Sequence, residues 1–142
     1  MKPEHLLYLR EIGMSRAAVS RAEYLHEIIQ RAAPFEIEDV FVNDSVSDEG
    51  IRSQQSLWFF GADRVTEFKN MMTNVAFDFV SLAQNQMWID VSAHEYDFDE
   101  VTDNSRLSVT TVIRDRLGFQ FKAVRNNCPY LTTILRTRIS VV

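Results

Sequence analysis

The hydrophobic period of this chain changes at Pro34, from the spacing of a helix to that of a strand. Before it, Leu6, Leu7 and Leu9 sit in a short helical piece that Gly13 can end, since glycine takes the left-handed stop at no steric cost. Ser15 suits the N-cap of a second helix. On that helix Val19, Ala22, Leu25, Ile28, Ile29 and Ala32 form one stripe at 3.6-residue spacing. Pro34 closes it, because the residue before a proline avoids the helical region. After it the alternation is two: Phe35, Ile37, Asp39 and Phe41 against Glu36, Glu38, Val40 and Val42.

The same alternation runs through most of the remaining chain. Leu57 to Phe60 reads as a strand buried on both sides, and Gly61-Ala62-Asp63 as a turn. Arg64 to Asn70 fits a returning strand better than the short helix that Val65, Phe68, Met71 and Met72 would also allow. Further strands are expected at Ala76–Leu82, Met87–Val91, Leu107–Ile113 and Phe119–Ala123, with acidic connectors at 43–56 and 94–105. Asn126 or Asn127 caps a final helix with Pro129 in its first turn and Leu131, Ile134, Leu135 and Ile139 as its stripe. Short strands with hairpin-like connectors need a sheet that closes or sandwiches. The expectation is an α+β fold: a closed antiparallel barrel or sandwich of about seven strands over 35–142, plugged by the C-terminal helix. Residues 1–34 form a helical extension packed outside it.

This order resembles the pleckstrin-homology-like superfamily in its bacterial small-domain form over residues 35–140. The residues carrying the resemblance are Leu57-Trp58-Phe59-Phe60, the turn to Arg64-Val65-Thr66-Glu67-Phe68, the pair Leu107–Ile113 and Phe119–Val124, and the helix from Asn127. The resemblance implies a binding module, often for lipid headgroups or peptides. The headgroup version places several Lys and Arg about the first hairpin. Here that loop is Asn43 to Arg52, with three acids and one Arg, which argues against phosphoinositides. A second resemblance lies at Gly13 to Arg21, which looks like the turn and recognition-helix start of lactose-repressor-type helix-turn-helix proteins. Leu9 stands where that motif needs a small residue for close helix crossing.

Composition narrows the function classes. The 142 residues suit one domain, and 46% hydrophobic with 25% charged residues is a globular mixture. The net charge of −5 is uneven: −12 over 34–103 and +6 over 104–142. Cys128 is the sole cysteine, which excludes an internal disulfide and suits a reducing compartment. The longest unbroken apolar run is Leu57 to Phe60, and the start of the chain shows no secretory pattern. The expected location is the cytoplasm.

Chemical motifs are sparse. Trp88, Asp90, Ser92 and His94 alternate on one strand, but residues two apart are separated by about 6.6 Å, too far for the hydrogen bonds of a triad. The acids from Glu95 to Asp103 lack the Gly and Glu positions of a calcium loop. Three scattered histidines and one cysteine have no zinc spacing, and His5 and His26 read as surface or core-edge residues. No cofactor is expected. The expected function is a non-enzymatic cytoplasmic interaction module with a protein partner or a second copy, through Val19, Leu25, Ile28 and Ile29, and without nucleic acid or membrane. An alternative is a cone-shaped α+β barrel, like the nuclear-transport-factor-two superfamily, with a small-molecule pocket at Trp58, Trp88, Asp90 and His94. A helix over 64–72 would favour that cone, and a strand there the pleckstrin-like barrel. A third reading is a DNA-binding regulator through residues 13–21.

Overall fold

A computed structural model describes residues 1–43, 55–62, 64–73, 78–81, 87–94, 100–113 and 116–139. For residues 78–81, 87–94, 110–113, 116–119 and 139 it describes the backbone alone. Most of the acidic connector after Asn43 (44–54) and part of that after His94 (95–99) lie outside the described residues.

Two helices open the chain, α1 (Pro3–Glu11) and α2 (Arg16–Ala32). Gly13 between them takes φ +86°, which only glycine adopts without strain. The Ser15 hydroxyl then accepts from Ala18 N at 3.2 Å and caps α2. Seven strands follow: β1 (Asp39–Asn43), β2 (Ser56–Phe60), β3 (Arg64–Phe68), β4 (Asp78–Ser81), β5 (Met87–His94), β6 (Arg106–Ile113) and β7 (Arg116–Val124). A 3₁₀ turn at Arg125–Asn127 leads into α3 (Cys128–Ile134), whose last residues continue as a π-helical turn, Leu135–Ile139.

The expected closed barrel or sandwich plugged by a helix does not form. The strands divide into two open antiparallel sheets, ordered β1-β2-β3-β4 and β5-β6-β7. Closure would need a backbone ladder between the sheets, and among the described residues none exists. One side chain stands in its place where β1 meets β7. The Asn43 amide donates to Gln120 O at 2.7 Å and accepts from Lys122 N at 2.6 Å, imitating one rung of a ladder.

Register fixes what each face of the first sheet meets, because directly paired residues share a face. Val40 pairs with Phe59 and Phe59 with Thr66; Val42 pairs with Leu57 and Leu57 with Phe68. This face lies under α2, whose His26 ring is 6.0 Å from Phe59. The opposite face carries Phe41, Trp58 and Phe60, and all three rings meet Phe121 of β7, at 5.9, 4.8 and 6.4 Å. Strand β2 is therefore buried on both sides, which explains its unbroken apolar run. Leu107, Val109, Phe121 and Ala123 line the inner face of the second sheet, in register across β6 and β7. The helices α1 and α2 share this single buried cluster with both sheets rather than standing outside it.

The backbone edge of β1 beyond Val42 is sealed by side chains. Val42 N donates to Tyr8 Oη at 2.9 Å, Tyr8 Oη donates to Asn127 Oδ1 at 2.7 Å, and Asn127 Nδ2 donates to Val42 O at 2.8 Å. This closed triangle ties α1, β1 and the start of α3 together with each polar atom satisfied. Two further links run the same way. Tyr130 donates to a Glu11 carboxylate oxygen, and Arg138 bridges Glu38 and Asp39 at the entry to β1. Hydrogen bonding to Glu11, helped by burial, pushes the Tyr130 phenol up to about 12.

Candidate functional site

Two features of the helical layer offer themselves to ligands or partners. The first is a cleft of about 590 Å³ between α1, α2 and the segment 34–37. Lys2 and His5 line it from α1 and the residue before it, His26 and Gln30 from α2, and Pro34 and Phe35 from the segment that follows. The Gly13 turn folds α2 back beside α1, so two histidines far apart in sequence reach one cleft. Phe35 owes its seat to Gly61, where a Cβ would come within 2.7 Å of the Phe35 ring. On its other side the Arg64 guanidinium lies 5.9 Å from the ring centroid.

The histidines are poised to stay neutral. Burial is the main reason that His5 is held below the usual imidazole range, opposed by its bond to Glu38 O at 3.2 Å and by the Glu4 carboxylate. Burial also lowers His26, and the nearby α-amino group and His5 add to the effect. An imidazole depressed in the folded state binds fewer protons than the same residue unfolded. Stability is therefore complete above about pH 6.5 and falls as the pH drops below that value toward the folded pKa. Urea unfolding should show this loss between pH 7.5 and 5.5, and His26→Asn should flatten it. An unfolding midpoint independent of pH across that window would show that the two rings titrate freely.

The second feature is the outer face of α2. Its inner stripe is committed to the core: Val19, Leu25 and Ile29 are buried in the chain's own hydrophobic cluster, so these three of the expected partner-binding residues face inward. Ile28 alone of the four stays partly open, beside Tyr24, which is 49% exposed. Arg21 lies over the Tyr24 ring, 5.1 Å from its centroid, and its Nε donates to Met71 O at 2.8 Å. Tyr24, Glu27, Ile28 and Arg31 surround a shallow dent of about 210 Å³, with Glu27 and Arg31 paired at 2.7 Å across one helical turn.

Of the four residues expected to line a small-molecule pocket, Trp58 alone has a described side chain. Trp58 is 2% exposed and fills the space between the sheets. Trp88, Asp90 and His94 lie on β5, paired with Val112, Thr110 and Arg106, and their side chains are outside the described set. Residues 64–68 form strand β3, not the helix that would favour the cone-shaped alternative. Residues 13–21 form a turn and a capped helix whose inner stripe rests on the four-stranded sheet. Cys128 is buried at the start of α3 with its Sγ near Ala123 O, 3.5 Å away. Among the described residues no group of three or more His, Cys, Asp or Glu is placed to hold a metal ion. No helix among them is long and apolar enough to cross a membrane. Compared with known proteins, the chain matches no family model, no curated protein and no solved structure.

The cleft was missed in the sequence because its histidines sit on different helices with no recognisable spacing. The outer α2 face was half legible: Ile28 was on the stripe, but Tyr24 lies off it.

Proposed function

We propose that this chain is a non-enzymatic interaction module of the cytoplasm, and that it pairs with a second copy of itself through the outer face of α2. The observation that carries the reading is Tyr24, a large aromatic left exposed beside Ile28 on a helix whose opposite side is buried. Tyrosine and arginine are the residues that most often anchor protein interfaces. The charges on this face are self-complementary. In an antiparallel pairing about a two-fold axis at Ile28, the Arg31 of one copy lies near Tyr24 and Glu27 of the other, and the two Ile28 side chains meet at the axis. Acidic and basic groups alternate here, with Glu23 and Glu27 among Arg16 and Arg31, which supports a protein partner over a polyanion. The single, buried Cys128 supports a reducing compartment.

One helix pair makes a small interface, so the dimer should form with a dissociation constant in the micromolar range. Light scattering behind a sizing column should show the mass rising from one chain toward two between low and high micromolar concentrations. Ile28→Glu should hold the protein monomeric while leaving its unfolding midpoint nearly unchanged, because Ile28 is only partly buried. A wild type that stays monomeric at high concentration, or an Ile28→Glu variant that dimerises equally well, would refute the reading.

A further inference from the structure

We propose that the cleft between α1, α2 and residues 34–37 binds a small carboxylic acid with an apolar body, its carboxylate against His5 and His26 and its body against Phe35 and Pro34. This site is independent of the pairing through α2. Its volume, about 590 Å³, lies within the range of small-ligand sites. One part of its lining is apolar, Pro34, Phe35 and Ile37, and the other carries groups that hold or accept positive charge, Lys2, His5 and His26. Such a wall divided between apolar and chargeable groups suits an amphipathic anion.

The charges around the cleft decide the sign. Two carboxylates act on His5, Glu4 and Asp39, and a third, Glu36, lines the cleft beside Lys2. Asp39 is held by Arg138, while Glu4 stands 3.9 Å from His5 Nε2 with its side chain 70% exposed, and Glu36 stands 3.9 Å from Lys2 at 81%. The last two therefore sit in solvent at the rim, where water screens them. His26 faces His5 and the α-amino group, both of which disfavour its charged form. The His5 ring is fixed by its bond to Glu38 O. Glu36 is the one carboxylate among the described residues lining the cleft, and it lies at the solvent-exposed rim, paired with Lys2. A carboxylate entering the cleft stabilises an imidazolium, so binding draws a proton from solvent onto a histidine. A metal is the weaker alternative, because no three-ligand set forms here.

Phenylacetate is a suitable probe, with phenylacetamide as its neutral counterpart. Titrations of the full chain should show phenylacetate binding about tenfold more tightly near pH 6 than near pH 7.5. The amide should bind about tenfold more weakly than the acid at the lower pH. The ring resonances of His5 and His26 should move, and the binding enthalpy should vary with the buffer's ionisation enthalpy, which reports proton uptake. His26→Asn, at a partly buried position, should weaken the pH dependence with the backbone spectrum otherwise retained. Lys2→Met offers a second test at a residue outside the core and should weaken phenylacetate without affecting phenylacetamide. Equal binding of acid and amide, affinity independent of pH, or unmoved histidine resonances at saturating phenylacetate would each overturn the proposal.

Discussion

Replacing Phe121 by alanine should lower the unfolding free energy by about 3–5 kcal/mol, the cost of a large cavity in a close-packed interior. Phe121 is 1% exposed and its ring meets Phe41, Trp58 and Phe60. Those three rings belong to β1 and β2, so among the described residues this side chain joins the two sheets through aromatic contacts. Because small domains are stable by only about 5–15 kcal/mol in total, the variant should unfold at a much lower urea concentration. Phe121→Leu, which keeps most of the volume, should cost about 1.5 kcal/mol. A loss below about 1 kcal/mol for the alanine variant would mean that the sheets do not meet through this ring.

Asn127→Leu should be nearly as costly, about 2–4 kcal/mol, although it removes no volume. Asn127 accepts from Tyr8 and donates to the Val42 carbonyl, and all of these atoms are buried. The leucine takes away the acceptor of the Tyr8 hydroxyl proton and the Asn127 donor to the Val42 carbonyl, and losing these bonds inside the protein costs more than they contribute net. Tyr8→Phe removes one vertex of the same triangle and should cost about 1–2 kcal/mol. The double variant should then be less destabilised than the two single losses added together, since both act on one network. Thermal or urea unfolding of the four proteins measures the coupling, and strict additivity would contradict the shared network.

The elements of this fold were legible where they depend on neighbours in sequence. Ser15 caps its helix through its own third neighbour, Pro34 marks the change of period, and the apolar run at Leu57 to Phe60 reflects burial on both faces. What remained hidden depends on distant partners. Nothing local to Asn43 shows that its amide replaces a ladder between β1 and β7, and that replacement leaves two open sheets where a closed barrel was expected. Asn127 reads as a helix cap, yet its side chain makes no cap bond and turns to Tyr8 and Val42. Tyr8 in a short helix carries no sign that it closes the edge of a strand. The candidate sites divide in the same way. Ile28 was visible as part of a stripe, while His5 and His26 became neighbours only through the turn at Gly13.

The proposed pairing requires α2 to have two working faces, an inner stripe that builds the core and an outer face that meets a second copy. A distance across the dimer tests this directly. Ser20 is exposed two helical turns from Ile28 on the outer side, and Cys128 is buried, so a spin label on Ser20→Cys reports from one place per chain. An antiparallel pairing centred on Ile28 separates the two Ser20 backbones by about 26 Å, from the helical rise and the usual spacing of packed helices. A dipolar distance near that value, lost in the Ile28→Glu background, is the expected result. A labelled protein with no intermolecular coupling at high concentration, or with a distance unchanged by Ile28→Glu, would contradict it.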